Sequence, residues 1–387
     1  MRPHLDRPVA RKTRVSLLDL PSTDDLDAPR ERRPLDTVSI GWVMVLVALV
    51  ITLVLALLPS AYVIEQPGPV FDTLGVSNDD SGDAVPLIDI PSETTYDTTG
   101  SLDLLTVSIV GSPGSTPRLL DLALAWFDPS KSIQPLESIY PVGVSSTDRS
   151  EESRIQMENS QKEAVAAALT ELGYDIPSTI TVLAISDGTS AADVLEIDDQ
   201  IVSVDGEDVA NLSELRAALK EHGTGSPAEV GILRDGDPVT EEVTPFDSNG
   251  ATVLGVGVAA DYTFPFDVNI DLADVGGPSA GMMFALGIYD KLTPGSLTDG
   301  ATIAGTGTID GAGQVGAIGG IRQKLYGARD AGATIFLAPE SNCDEVVGHI
   351  PAGLSVYAVG TLQDSIDVLD TLGDGGDASG LPTCTAG

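Results

Sequence analysis

The sequence predicts a mixed helix-and-strand protein, of the α/β or α+β class, preceded by one membrane span. Three observations point there. Helical and strand-like apolar patterns alternate irregularly along the chain instead of in a repeating strand-helix order. Between about Ile176 and Phe246 a strand, a helix and a hairpin form a self-contained block. Ahead of both, Val38 to Leu58 carries no charged residue and is rich in Val, Leu, Ile and Ala.

At the amino end, residues 1–36 are rich in Pro, Arg and Asp without sustained apolar periodicity, which predicts a disordered tail. The apolar stretch after it would make a helix of about 32 Å, enough to cross a bilayer core. Arg30, Arg32 and Arg33 lie just before it, and Glu65 and Asp72 follow it. The positive-inside rule then puts the tail in the cytoplasm and everything after Leu58 outside the cytoplasmic membrane. A cleaved signal peptide fits less well, because the stretch exceeds a usual signal h-region. Further on, Gly75 to Asp83 is polar and loop-like, Leu102 to Val110 reads as a buried strand and Leu119 to Phe127 as a short helix. Ser160 reads as the cap of a helix from Gln161 to Leu172, with Glu163 at the third position and Gly173 past the end.

The chain has 20 basic and 58 acidic side chains, a formal charge of −38. Residues 1–36 hold 8 of the basic and 7 of the acidic ones, which leaves 12 against 51 for the remainder. A surface that acidic repels phosphate backbones and argues against nucleic acid as a partner. The two cysteines, Cys343 and Cys384, both fall on the outer side and predict one disulfide tying the Gly-rich tail to the last domain. No metal site is expected, because zinc needs three or four ligands at short spacing and His349 near Cys343 stands alone.

Within the self-contained block, Ile180 to Ile185 alternates as a strand and Ile201-Val202-Ser203-Val204 runs into Asp205-Gly206. Asn211 with Glu214 opens a helix carrying Leu212, Leu215 and Leu219 on one face, and a hairpin turns at Asp235-Gly236. Through Leu195 to Val209 (LEIDDQIVSVDGEDV), this element order and its length, the block resembles a PDZ domain. PDZ domains bind extended peptides by adding a strand to a sheet edge beside a helix. The resemblance implies a peptide groove at Ile180 and Val182, faced by Leu212 and Leu215. Asp198 stands where the family usually has Gly, and no clear apolar-Gly-apolar loop precedes the first strand.

In the last section, Phe266 to Leu272 alternates as a strand, and Gly276-Gly277-Pro278-Ser279-Ala280-Gly281 leads into Met282 to Tyr289, apolar nearly all round. Such a helix is buried at the centre of a domain. Ile303 to Ile309, Thr334 to Leu337 and Leu354 to Val359 read as strands, and Ile321 to Ala331 as a helix that Gly332 ends. A serine hydroxyl needs a base to act as a nucleophile. Ser279 is expected in the first turn of its helix, where unpaired N–H groups favour an oxyanion, although a serine there is equally a plain cap. Ile321, Lys324, Leu325 and Ala328 share one helix face, so Lys324 is the cation on the apolar face. Burial lowers a lysine pKa and makes it a base, whereas a snorkelling lysine stays charged. Neither His222 nor His349 has a motif that would support a Ser-His-Asp triad. Gly311 to Gly316 matches G-x-G-x-x-G, a weak signal alone, and no G-x-x-x-x-G-K-[ST] occurs, so no nucleotide or other cofactor is expected.

The ordered set Gly277-Pro278-Ser279-Ala280-Gly281, Thr306-Gly307, Gly319-Gly320 and Lys324 resembles the proteolytic domain of Lon-type peptidases. Met157-Glu158-Asn159-Ser160-Gln161 is similar to the helix before the serine motif in that family. The resemblance implies an α+β fold: a discontinuous Lon-type proteolytic domain with an inserted PDZ-like β-rich module, preceded by one transmembrane helix, as in the YlbL-type membrane peptidases of bacteria. The expected divisions are a cytoplasmic tail at 1–36, the span at 37–58, a first part of the Lon-like domain at 59–175, the PDZ-like module at 176–248, the catalytic part at 249–373 and a tail at 374–387. Carried over, Ser279 is the nucleophile, Lys324 the general base and Thr306 a hydroxyl that positions the lysine, with Gly277, Pro278 and Ala280 supporting. Gly276 replaces an Asp common in the family, and Thr308 replaces a Glu after Thr-Gly. The expected function is a membrane-anchored, ATP-independent serine endopeptidase. Its expected partners are extended protein or peptide substrates, the lipid bilayer and, since Lon-type domains usually form rings, further copies of itself. The alternative is a catalytically inactive scaffold that presents the PDZ-like groove at the membrane surface.

Overall fold

The structure, a computed structural model, describes residues 37–78, 84–141, 146–186, 188–248, 251–272 and 275–385; the expected tail at 1–36 lies outside them. The chain divides into two units after Ala56. The first contains the helix α1 (Thr37–Ala56), 20 residues without a charge. Its described side chains, from Ile40 onward, are almost all exposed. Among the described residues no helix is long and apolar enough to cross a membrane. The span expected over 38–58 is therefore not established, although the helical backbone itself covers 20 residues, about 30 Å.

The second unit is built on a six-stranded sheet. β1 (Tyr62–Asp72) lies between β2 (Ser101–Val110) and β3 (Ser132–Pro135), antiparallel to both. From β2 the sheet continues in parallel through β9 (Thr302–Gly305) and β12 (Ile335–Pro339) to β13 (Ser355–Val359). Successive side chains of a strand face opposite ways, so each strand feeds two cores. Leu102, Leu104 and Leu337 enter one core, and Leu105, Ala304, Phe336 and Ala338 the other. The first core is filled by α3 (Ser146–Glu171), α5 (Gly281–Leu292) and α7 (Leu362–Gly373); Met282, Phe284 and Leu286 of α5 have no exposure at all. Burying each such side chain contributes about 1.5–3 kcal/mol. The second core is closed by α6 (Ile321–Asp330) through Ile321, Leu325 and Ala328, and Cys384 packs at its margin, disulfide-bonded to Cys343. The short helix α2 (Leu119–Ala125) lies between β2 and β3 in the chain.

α3 begins earlier than its apolar period suggests. Its first half is polar and held by ion pairs one helical turn apart, Arg149 to Glu152 and Arg154 to Glu151 and Glu158. Ser160 is therefore mid-helix and caps nothing. The alternating segment 266–272 pairs only at Asn269–Ile270, and the expected strand 303–309 splits into β9 and a two-residue β10 (Thr308–Ile309), which forms a hairpin with β11 (Val315–Gly316). Thr306 and Gly307 occupy the break.

The inserted module has its own core and an antiparallel sheet. β4 (Ser178–Ile185) pairs with β5 (Gln200–Val204), β5 with β6 (Ala228–Arg234) and β6 with β7 (Asp237–Val243). α4 (Leu212–His222) starts at Asn211, whose side chain accepts the Glu214 N–H as expected for its cap. One expectation fails here. The second edge of β4 is covered over its whole length by β8 (Val256–Tyr262), so that edge offers no groove. Ile180 and Val182 are buried in the module core together with Leu215. On this side the sheet now ends at β8, and on the other at β7. The apolar-Gly-apolar loop missing before the first strand stands instead at Leu254-Gly255-Val256, leading into β8, with Gly255 at a φ of +85°. In this chain the edge strand comes last in sequence.

Candidate active site

Ser279 sits in the turn just ahead of α5, two residues before its first helical residue, so it precedes the first turn in which it was expected. The turn depends on Gly277, whose φ of +89° a side chain would strain, and whose N–H donates to the Ser153 carbonyl at 2.8 Å. Lys324 projects from α6, is 2% exposed, and places Nζ 2.7 Å from Ser279 Oγ and 2.8 Å from Thr306 Oγ1. The Thr306 hydroxyl donates to the Ser279 carbonyl at 2.9 Å, and the Gly307 N–H reaches the same carbonyl at 3.0 Å. Serine, lysine and threonine thus meet just beyond β9, at the carboxyl end of a parallel strand. Among the described residues no carboxylate pairs with Lys324, and burial alone pushes its ammonium down from 10.5 to about 7. An amine poised there is half deprotonated at neutral pH and can accept a proton from the adjacent hydroxyl.

Helix α3 holds this turn in place, a role that its sequence pattern did not announce. Ser160 Oγ donates to the Pro278 carbonyl at 2.9 Å, and a side chain on Gly281 would come within 2.8 Å of that oxygen. One turn along, the Glu163 carboxylate accepts the Tyr262 hydroxyl of β8 at 2.6 Å and the Gly311 N–H of the β10–β11 turn. Burial pushes the Glu163 carboxyl up, against the lowering effect of these two hydrogen bonds. The only trace of α3's part in the sequence is the Met157 to Gln161 similarity.

A cleft of about 570 Å³ opens onto Ser279 and Lys324 between Thr106, Val107, Met157 and Gly276. A second, about 710 Å³, shares Arg149, Ser153, Met157 and Gly276 with it and lengthens the channel. A third cavity of about 440 Å³ lies where Leu212 and Arg216 of α4 and Val258 of β8 face Glu163, Ile309 and Pro278. Of the four residues expected to form a peptide groove, Leu212 lines this third cavity, while Ile180, Val182 and Leu215 are buried in the module core. Among the described residues no group of His, Cys, Asp and Glu side chains is arranged to hold a metal ion.

Residues 145–244 match the PDZ domain family and residues 272–370 the Lon protease (S16) C-terminal proteolytic domain. The PDZ match takes in the whole of α3, whose buried face packs in the first core of the six-stranded sheet, and stops before β8. The mitochondrial Lon protease homolog of Yarrowia lipolytica is 35% identical over 96 residues, 24% of this chain and 8% of the relative. Lon protease 2 of Bacillus subtilis is 34% identical over 104 residues, 27% of this chain and 17% of the relative. The chain thus spans less than a fifth of these relatives' length. Among solved structures, the PDZ domain of the SdrC-like protein of Listeria monocytogenes is 20% identical, covering 20% of this chain and 85% of that one at a TM-score of 0.20. By these two matches the chain combines a PDZ domain with a Lon-type proteolytic domain.

Proposed function

We propose that the chain is a serine endopeptidase that works without ATP, held at a membrane by α1 and acting on extended protein segments. The observation that carries the reading is the buried Lys324 Nζ, free of any carboxylate among the described residues, 2.7 Å from Ser279 Oγ. Neutral Lys324 takes the hydroxyl proton as Oγ bonds to the scissile carbonyl carbon. Gly281 N–H is committed to Pro278 and Met282 N–H to Gly307; the N–H groups of Ser279 and Ala280, without a backbone partner among the described residues, are the ones that would hold the oxyanion. The lysine ammonium then gives its proton to the leaving amine, and an acyl-enzyme remains on Oγ. Water, deprotonated by the same lysine, releases the acid. Thr306 keeps Nζ aimed, accepting from it while donating to the Ser279 carbonyl.

The PDZ module would supply substrate at the open edge of β8, because a strand added there borders the cavity that reaches Pro278. Anchoring by α1 is supported by 20 charge-free helical residues, about the 30 Å of a bilayer core. The arginines ahead of it argue for a catalytic unit outside the cytoplasm. Independence from ATP rests on the absence of a P-loop motif in this sequence. The test uses purified full-length protein with a fluorogenic peptide and a fluorophosphonate probe. Ser279→Ala should cost at least about a thousandfold in rate, and peptide mapping should find the probe on Ser279. Unchanged activity in that variant, or an unlabelled Ser279 in active protein, removes the assignment.

A further inference from the structure

Large apolar side chains lie open on and around α2. Leu119, Leu120 and Leu124 are exposed, and just past the helix Trp126 and Phe127 are 77% and 86% exposed. Leu120, Leu124 and Phe127 follow i, i+4, i+7, and Leu119 and Trp126 follow i, i+7, so they occupy one side while Ala125 turns inward. A contiguous patch of this kind, on a chain otherwise so acidic, marks an interaction surface.

Its place in the fold identifies the occupant. The Leu119 N–H donates to the Leu58 carbonyl at 3.1 Å, the Ser60 N–H donates to the Pro117 carbonyl at 2.9 Å, and Pro59 bridges to Arg118. α2 is therefore stitched to a segment that begins two residues after Ala56, the end of α1. Two extended residues reach about 7 Å. The headgroup layer beyond a bilayer core is about as deep, roughly 5–8 Å on each side. With α1 in a bilayer, the start of α2 cannot leave that layer, and tryptophan is among the side chains most favoured there.

We infer that α2 with Trp126 and Phe127 rests in the headgroup interface of the bilayer that α1 is proposed to cross, an inference that depends on that reading. The catalytic unit then has a second point of attachment besides the chain itself. The chain's two tryptophans, Trp42 in α1 and Trp126, allow the two ideas to be separated. Full-length protein is reconstituted into phosphatidylcholine vesicles, with and without lipid brominated on the acyl carbons nearest the headgroup. In Trp42→Phe, the remaining Trp126 should emit to the blue of a solvated indole and lose intensity with brominated lipid. Leu124→Glu in that background should reverse both changes. If Trp126 stays unquenched while Trp42, observed in Trp126→Phe, is quenched by lipid brominated deeper in the chain, the inference fails and the anchor stands. A blue-shifted but unquenched Trp126 assigns the patch to a second copy of the protein and also overturns the inference. Quenching of neither tryptophan removes the anchor and the inference together.

Discussion

Titrating the proposed peptidase activity through neutral pH tests Lys324 most directly. Burial pushes this amine from 10.5 to about 7, a difference worth about 5 kcal/mol of lost charge solvation. At pH 7 about half of the lysine is then the free base, roughly a thousandfold or more above the fraction of an ordinary lysine. The rate of peptide cleavage, followed with a fluorogenic substrate, should rise along a single acid limb with a midpoint near 7 and level off above it. Stability carries the same signature with a definite sign. Between about 7 and 10.5 the unfolded chain binds the extra proton, so stability increases with pH across that window and is flat below it. Lys324→Met removes both the amine and its desolvation cost. It should abolish the acid limb along with the activity, and stabilise the fold at pH 7 by about 1–3 kcal/mol once the lost hydrogen bonds are subtracted. A limb with its midpoint above 9, or a less stable Lys324→Met protein with the pH slope intact, refutes the reasoning.

Four further outcomes follow from the same geometry. Ser160→Ala, which removes the side-chain donor to the Pro278 carbonyl, should lower kcat about tenfold with little change in KM, and stability by about 1 kcal/mol; steady-state kinetics separate the two. Gly277→Ala forces a side chain into positive φ and should cost about 1–3 kcal/mol in denaturant melts together with most of the activity. The hydrogen bond from His222 to Asp205 pushes the histidine pKa up, so its contribution is complete below about 6.5 and is lost as pH rises through the higher folded value. A chemical-denaturation series on His222→Ala should lack that slope. Reducing Cys343–Cys384, which closes 41 positions, should lower stability by about 4 kcal/mol and leave the acid limb of the rate unchanged.

Ser279 and Lys324 were legible because each lies in a local pattern, a turn before a buried helix and a cation on an apolar helix face; Thr306 came only from the resemblance to the Lon-type motif, since 303–309 reads as one unbroken strand. Each pattern can be read within one helical turn or one loop. The strand that closes the sheet beside β4 could not be read in that way. β4 is covered by β8, a strand that lies beyond the hairpin in sequence, and no local period encodes which strand closes a sheet. The early start of α3 was hidden for a related reason, since its first half is fixed by ion pairs and by the turn it supports. Ser160 displays the difference between the two levels. In sequence it has the features of a helix cap, yet its hydroxyl is spent on Pro278, a residue more than a hundred positions away.

The carboxylate of Glu163 bears on how freely such domains can be shuffled. One of its donors comes from the last strand of the PDZ module and the other from the hairpin next to Thr306. Grafting in a different PDZ module without a tyrosine at this position would leave a buried acid short of a partner, at a cost of about 1–3 kcal/mol. The module's sheet and the Lon-type domain are thus coupled through one carboxylate, and a recombination at the module boundaries carries that cost even where both domains fold well.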